Sequence, residues 1–322
     1  MNTRHNKQIA PPSNRRASMA GFSIIEMMIS ITIGLMIIAA LAGVLTSIAS
    51  SSKTNARTAE LQTNGRYALD HLKRELRHAR YRGYTWSAPN VPAIDGVDNE
   101  CLDGGADDSF VVNLRQGVWG ANDSNPYAAN CLPAASRLRG DVLVIRRVAS
   151  APTATPDLVA NTLYFRSTYV TGEVFQGTVP PAAVIGTPIA NFALQEYVYY
   201  IGSDDVDTTV PALRRVALQG NAMVDEMVVS GIEQMQVQYG RTTTDLTTQY
   251  YNAINIVGTS TNAVQSDWNE VNSVRVWLLA RNAKVETGYT NTNVYAMGDQ
   301  NYNPPDDSFR RQLFTTVVQL RN

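Results

Sequence analysis

The chain has 322 residues, of which 44% are hydrophobic and 17% are charged, and its formal net charge is −1. This length allows a sizeable core in one or two domains. The first 21 residues hold four basic residues and no acidic one, so the remainder is weakly acidic. That balance argues against general electrostatic binding of nucleic acid.

The first segment, residues 1–21, is a basic leader that ends at Gly21. An apolar stretch follows directly. A cleaved secretory signal has a shorter apolar region that ends at the cut, whereas processing at Gly21 would leave the apolar stretch in place. Positively charged flanks stay in the cytoplasm, so the body is expected on the far side of the membrane.

The apolar composition of the second segment, residues 22–52, predicts a transmembrane helix. From Met27 to Ser52 there are 26 consecutive residues without a formal charge. As a helix they would extend roughly 39 Å, which exceeds a hydrocarbon core of about 30 Å. Glu26 is the one ionisable residue of the segment 22–52 and lies near its start. A carboxylate inside a membrane is expected to have a partner.

The third segment, residues 53–83, continues the helix with one apolar face. No proline occurs between Phe22 and Trp86, so the sequence predicts one helix over about residues 22–82. Its apolar residues recur every three or four positions, at Leu61, Gly65, Ala68, Leu69, Leu72, Leu76 and Ala79. The helix is expected to bend or melt at glycines, namely Gly34, Gly43 and Gly65.

Residues 84–322 predict a β-rich globular domain. Runs of β-branched and aromatic residues alternate with turn signals from Asp141 onwards, with Gly-, Asn- and Thr-rich loops at 84–137, 241–267 and 284–307. "SFVVNL" is a further strand candidate. The segment "MVDEMVVSGIEQMQV" is predicted to contain a strand, with a short helical turn at its start as the alternative. The predicted fold is therefore α+β, with the amphipathic half of the helix packed on a mainly antiparallel sheet.

Two cysteines, Cys101 and Cys131, lie in the irregular part of this domain. An oxidising compartment beyond the membrane favours a disulfide between them, and two free thiols are the alternative. The disulfide would close a loop of about 30 residues, worth roughly 3–4 kcal/mol in the loop-entropy description.

The residues do not assemble a recognisable catalytic site, and no cofactor is expected. The sequence has no phosphate-binding loop, nucleophile elbow or dinucleotide motif. His71 and His78 share a helix face without an implied third metal ligand, so two surface imidazoles are the preferred interpretation. The acidic "DDVD" at 204–207 is interpreted as a solvated turn rather than a calcium loop.

Two sets of aromatic residues are candidate binding sites. The basic, tyrosine-containing end of the helix is interpreted as a core face and a solvated face, although DNA capture stays open. The four tryptophans are candidate partner anchors by residue type, but core burial is their commoner fate: Trp86, Trp119, Trp268 and Trp277.

"GFSIIE" at 21–26, after a basic leader and before a long apolar helix, resembles the class III signal of type IV pilins and pseudopilins. The resemblance implies cleavage between Gly21 and Phe22 by a prepilin peptidase and N-methylation of Phe22. It also implies an assembly role for Glu26. Gly43 stands where many major pilins have a helix-breaking proline.

The resemblance extends into the body. The segments "NGRYALDHLKRELRHARYRGY", "VVSGIEQMQVQYG" and "FRRQLFTTVVQLRN" are similar to the PilW family of type IV pilus minor pilins. This implies a non-enzymatic subunit of a priming or tip complex that initiates pilus assembly. Its implied partners are other minor and major pilins, the prepilin peptidase and the inner-membrane assembly platform.

The same resemblance implies a single-pass inner-membrane protein with a periplasmic body, which later moves to the pilus tip. A J-type pseudopilin of type II secretion is an alternative of similar plan. A membrane-anchored periplasmic enzyme or binding module is an alternative of a different class.

Overall fold

The computed structural model describes residues 21–85, 87, 97–102, 110–182, 184–258 and 267–320. Residues 1–20 of the predicted leader, Trp86 and part of the loop at 241–267 lie outside the described residues. Two compact units divide the chain, Met1–Thr54 and Asn55–Asn322. The predicted α+β class, with a long N-terminal helix and an antiparallel β domain, is confirmed.

Helix α1 spans Ile24–His78, slightly shorter than predicted at both ends. Arg77 and His78 stand in its last turn, where positive charge complements the negative end of the helix dipole. Arg80 follows with a φ of 69° and Gly83 with a φ of 68°. Left-handed residues of this kind commonly end helices, because they turn the chain away from the helix axis.

The larger sheet has seven strands, and these strands pair with one another antiparallel. The strands are β1 Val118–Ala121, β2 Arg139–Val148, β3 Leu163–Ser167, β4 Gly172–Gln176, β5 Ala190–Ser203, β6 Pro211–Gln219 and β7 Ala222–Ser230. Their order is β1-β2-β5-β3-β4, and β6 joins β5 to β7. The long strand β5 therefore pairs with three neighbours and organises this sheet.

The second sheet has four antiparallel strands, and a two-stranded hairpin interrupts its sequence. In chain order the strands are β8 Ile232–Thr242, β9 Thr248–Asn252, β10 Val271–Arg281, the hairpin strands β11 Tyr295–Met297 and β12 Gln300–Tyr302, and β13 Arg311–Gln319. The sheet order is β13-β10-β8-β9. Short 3₁₀ turns occur at Thr155–Asp157, Ala253–Asn255 and Asp267–Glu270.

The core of the second unit lies between the helix face and the sheets. On α1, the residues Leu61, Gly65, Ala68, Leu72 and Leu76 are buried, at the spacing of three and four predicted from the sequence. Trp268 is the largest fully buried side chain, and its ring meets that of Tyr239 edge-to-face at 4.6 Å.

Two predicted elements differ from the structure. The segment considered for a helical turn is strand β7, because its backbone pairs along its length with β6. Within "SFVVNL", Phe110–Leu114 forms buried turns rather than a strand. The Phe110 carbonyl accepts a hydrogen bond from Arg146 Nε at 3.0 Å instead of pairing in a sheet.

The segments predicted as loops also carry short strands. Strand β1 lies within 84–137, β9 within 241–267, and the β11–β12 hairpin within 284–307. These strands are too short for a periodic sequence signal, and their pairing with long neighbours defines them.

Helix α1 is unbroken at Gly34, Gly43 and Gly65, which contradicts local melting at these positions, whereas bending there stays a prediction. Gly65 is buried against β13, and a Cβ there would lie 2.1 Å from Cε2 of Phe314. Gly65 is therefore needed for close approach of the helix to the sheet. At Gly34 and Gly43 a Cβ would meet no atom within 4 Å.

We expect Gly65→Ala to destabilise the second unit by up to about 2 kcal/mol, because overpacking costs roughly 1–3 kcal/mol and the gain in helix propensity offsets about 1 kcal/mol of it. The matched control is Gly34→Ala, which places the same methyl group in open space on the same helix. Thermal unfolding of the full chain in detergent, followed by near-UV circular dichroism, measures both. Equal melting temperatures for Gly65→Ala and wild type would contradict the packing role.

Candidate functional site

The predicted processing site stands immediately before α1. Gly21, Phe22 and Ser23 precede the first helical residue, Ile24, and Phe22 is 81% exposed. The Ser23 carbonyl accepts the backbone N–H groups of Glu26 at 3.0 Å and Met27 at 3.1 Å. A new chain end at Phe22 would thus begin two residues ahead of a regular helix.

The first half of α1 exposes apolar side chains on all sides. Every residue from Gly21 to Ser50 is exposed except Gly34, which is half-buried. Among the described residues, α1 is the one helix long and apolar enough to cross a membrane. A helix that is apolar all round suits a membrane, so this part of the chain suggests a membrane anchor.

Hydroxyl groups within the apolar stretch are satisfied by the helix itself. Ser30 Oγ donates to the Glu26 carbonyl at 2.7 Å, Thr32 Oγ1 to Ile29 at 2.8 Å, and Thr46 Oγ1 to Gly43 at 2.9 Å. In hydrocarbon no water is available to accept these protons, so internal hydrogen bonds lower the cost of burying them.

Glu26 is the only ionisable residue between Phe22 and Ser52. It lies in the first turn of α1 and is exposed. A carboxylate in this position is favoured by the positive end of the helix dipole, typically by about 0.3–1 kcal/mol. That is less than the roughly 2.5–3.5 kcal/mol of placing a charged side chain in a bilayer. A further cation is needed to balance the charge.

The structure contains the predicted disulfide between Cys101 and Cys131, with the two Cα atoms 4.9 Å apart. Both cysteines are buried. Asn130 Nδ2 donates to the Leu102 carbonyl at 2.7 Å, beside the disulfide. The disulfide thus connects two irregular segments within the main hydrophobic core.

The two helix histidines have different environments. His71 is buried, contrary to the predicted surface position, and its Nε2 lies 3.0 Å from the Tyr199 hydroxyl. Burial, together with the charge of Arg215, lowers the pKa of His71 to about 4. His78 is exposed, and its Nδ1 lies 2.9 Å from the carbonyl oxygen of Arg74. Among the described residues, no group of three His, Cys, Asp or Glu could hold a metal ion.

The acidic segment 204–207 is a hydrogen-bonded turn. Asp204 Oδ1 accepts the backbone N–H groups of Val206 at 2.8 Å and Asp207 at 3.2 Å. Asp207 Oδ1 accepts the hydroxyl of Thr209 at 2.6 Å. The hydrogen bond from the Thr209 hydroxyl, followed by the one from the Thr209 backbone N–H, lowers the pKa of Asp207. The carboxylates organise the chain locally, as the turn interpretation predicts.

Two of the candidate tryptophan anchors belong to the core. Trp119 and Trp268 are both buried, and each donates its ring N–H to the Gly258 carbonyl at 3.2 Å. Trp277 is half-buried, and its ring lies 5.7 Å from the Arg275 guanidinium. Trp119 and Trp268 are therefore not available as surface anchors.

A buried charge network connects the strands of the second sheet, and the sequence did not predict it. Arg311 of β13 donates to Glu233 of β8 at 2.5 and 3.2 Å and to Asp307 at 2.7 Å with each terminal nitrogen. Arg139 and Arg281 also lie within 3.9 Å of Glu233. Burial lowers the pKa of Arg311, but its hydrogen bonds to Asp307 and Glu233 outweigh this and raise the pKa above its usual value.

Comparison with known proteins supports part of this description. No curated protein matches the chain. Among solved structures, the chain is similar to a type IV-like pilin from Thermus thermophilus, with 14% identity over 82% of this chain and 95% of that chain. The TM-score of 0.33 is too low to establish a common fold.

A family model matches the carboxy-terminal part of the chain, which contains β6 to β13 and the members of the charge network around Glu233 other than Arg139. The model is described as Type IV Pilus-assembly protein W. Residues 198–322 thus carry the sequence pattern of the PilW family, which confirms the resemblance predicted from the sequence and supports a pilin related to type IV pili.

Proposed function

We propose that this chain is a minor pilin of the type IV pilus, and that it belongs to a priming or tip complex that initiates pilus assembly. The observation that carries the proposal is the PilW-family match in a chain that begins with an exposed apolar helix and a single carboxylate. An apolar helix suits both storage in the inner membrane and packing beside other pilin helices.

In this proposal the leader is cut between Gly21 and Phe22 by a prepilin peptidase, and the new amine of Phe22 is methylated. The amine supplies the cation that Glu26 needs. Glu26 lies about one turn from Phe22 in its own helix, and in a packed assembly its carboxylate can instead meet the amine of a neighbouring subunit. Such a pair would fix the axial step between subunits.

Processing makes Gly21 sensitive to substitution. We expect Gly21→Val to retain the leader, because a branched side chain hinders close approach of a peptidase to the backbone. Gly34→Val is the matched control, with the same substitution inside the apolar helix. Mass spectrometry of the purified protein distinguishes the two lengths, and a mature-length Gly21→Val protein would contradict the assignment.

The exposed edge of β13 is a candidate surface for partner pilins. Strand β13 pairs with β10 through nine residue pairs, and it is the last strand in the sheet order. After its first residue, Arg311, the strand carries no charge and no proline as far as its end at Gln319. Proteins usually protect a long edge strand with charge or proline, so an unprotected edge favours addition of a partner strand.

We expect Val317→Lys to reduce co-purification of other pilins, because a lysine on an edge strand opposes strand pairing. Val317 is 48% exposed on β13, whereas the control position, Val206, is 94% exposed in the 204–207 turn. The measurement is pull-down of the tagged full chain from detergent-solubilised membranes, with partner pilins identified by mass spectrometry. Equal recovery of pilins with both lysine variants would exclude this edge.

Deletion of the gene separates the proposal from a secretion pseudopilin. Loss of twitching motility and surface pili with normal exoprotein secretion is the expected result. Loss of secretion with normal pili would overturn the assignment to the pilus.

A further inference from the structure

The outer face of the second sheet carries an arginine between two aromatic residues. Arg275 and Trp277 of β10 are half-buried, whereas Val274 and Val276 of the same strand belong to the core. Alternate residues of a strand point to opposite faces, so Arg275 and Trp277 lie on the face that points away from the core. Tyr250 of β9 shares this outer face, and its ring contacts Arg275.

The two rings hold the guanidinium group of Arg275 in place. Its Cζ lies 4.0 Å from the centre of the Tyr250 ring and 5.7 Å from that of the Trp277 ring. Both distances fall within the range of about 6 Å for cation–π attraction. Gly240 of β8 leaves room for this arrangement, because a Cβ atom there would lie 3.2 Å from Cε1 of Tyr250. A group that is ordered before a ligand arrives lowers the entropic cost of binding.

The charge of Arg275 is unpaired within the described part of the chain. Its contacts there are the two rings, and it forms neither a hydrogen bond nor an ion pair with the described residues. Its nitrogen atoms are not among the buried atoms that lack a partner, so its N–H groups reach the solvent. By contrast, Arg214 of β6 and Arg311 of β13 each pair with two carboxylates. Stacking uses the face of a guanidinium group and leaves the N–H donors at its edge available for an anion.

The residues directly beside Arg275 in the sheet are neutral. Gln238 of β8 and Val317 of β13 lie opposite it on its two sides. Gln238 donates its amide to Asn252 of β9 at 2.9 Å. One cation beside neutral side chains suits a single carboxylate. A nucleic acid presents a row of phosphates and is bound through several cations, so it is a poorer match.

An exposed apolar side chain adjoins the cation. Val317 is 48% exposed, and the Cβ atoms of residues directly opposite each other in an antiparallel pair lie about 5 Å apart. Strand β13 is an edge of the sheet, so a partner can approach this position from the side as well as from above. A protein segment that has a carboxylate next to an apolar side chain complements both Arg275 and Val317, whereas an inorganic anion gains nothing from the valine.

We propose that Arg275, held between Tyr250 and Trp277, binds a carboxylate of an acidic segment of a partner protein, and that an apolar side chain of the same segment packs on Val317. The guanidinium edge and a carboxylate form two parallel hydrogen bonds, which fix the orientation of the segment. The identity of the partner as a pilin rests on the proposed function, whereas the carboxylate site does not.

The test is site-specific photocrosslinking of the full chain in its native cells, with benzoylphenylalanine in place of Thr315. Thr315 is exposed on β13 and lies directly opposite Trp277, so the probe leaves Arg275 and Val317 unchanged. Mass spectrometry identifies the captured protein and the captured segment. The expected segment contains an aspartate or glutamate beside an apolar residue.

Arg275→Gln is expected to lower the crosslinking yield about tenfold, since the loss of charge-assisted hydrogen bonds acts on that scale. The matched control, Arg66→Gln, removes an exposed arginine of α1 and should leave the yield unchanged. Tyr250→Phe keeps the ring and should preserve the yield, whereas Tyr250→Leu removes the ring and should lower the yield severalfold. Near-UV circular dichroism of the purified variants verifies that they fold.

Charge exchange makes the test specific for an ion pair. Arg275→Glu should abolish the crosslink, and replacement of the captured carboxylate by arginine should restore it. An unchanged yield with Arg275→Gln, capture of a segment without a carboxylate, or capture of no protein would overturn the proposal. Crosslinked material that nuclease removes would overturn it in favour of nucleic-acid binding. Capture of a protein other than a pilin, with charge exchange intact, would contradict the proposed function and support this site.

Discussion

Glu26→Ala is expected to be processed normally but to be nearly absent from pili. The substitution removes one half of the proposed ion pair with the Phe22 amine of a neighbouring subunit. It leaves Gly21 and Phe22 unchanged, so the peptidase retains its cleavage site. Loss of an interaction of about 2.5–3.5 kcal/mol, the scale of an unpaired charge in a bilayer, corresponds to a reduction of roughly a hundredfold in incorporation.

Two further variants make this test specific. Glu26→Gln preserves the shape of the side chain and removes its charge, so it should behave like the alanine variant. Glu60→Gln removes an exposed carboxylate farther along α1 and should assemble normally. Immunoblots of sheared pili and of membranes compare assembled with stored protein. Normal recovery of Glu26→Gln in pili would exclude the ion-pair role.

Arg311→Met is expected to destabilise the β domain by about 3–5 kcal/mol, because removal of one partner leaves the other buried and poorly compensated. Arg311 and Glu233 have side chains that are 1% and 3% exposed. The substitution leaves Glu233 with Arg139 at 3.5 Å and Arg281 at 3.9 Å, neither of which forms the same two-point contact. A loss of this size is a large part of the total stability of a typical domain, about 5–15 kcal/mol.

The matched control for this prediction is Arg241→Met. Arg241 also pairs with two carboxylates, Asp267 at 3.0 Å and Glu270, but Glu270 is 64% exposed. Surface pairs contribute about 0–1 kcal/mol, so the control should unfold close to wild type. Urea unfolding of both variants measures the difference, and similar midpoints would contradict the structural role of the buried network.

The order of helix and strands could be predicted to a large extent from the sequence. The apolar stretch of α1 has no local alternative, because its length and lack of charge suit a single helix. The strands β2, β5, β8, β10 and β13 follow from their long runs of β-branched and aromatic residues. The short strands β1, β9, β11 and β12 could not be predicted from the sequence, because three to five residues show little periodicity.

The behaviour of single residues was harder to predict, because it depends on neighbours that are distant in the chain. His71 has a surface-like sequence context, yet Tyr199 of β5 covers it. From the sequence, Gly65 is a residue that lowers helix propensity. Only the structure shows that Phe314 packs against it and leaves no space for a Cβ atom.

The amino-acid sequence alone determined the apolar helix and its lone carboxylate, because both depend on residue type along one continuous stretch. The cleavage position stays a prediction from the resemblance of "GFSIIE" to a pilin signal. The tertiary structure decided how Arg311 meets Glu233, 78 residues away, and how His71 of α1 meets Tyr199 of β5. Such contacts join elements through sheet register and packing, which local sequence patterns do not encode.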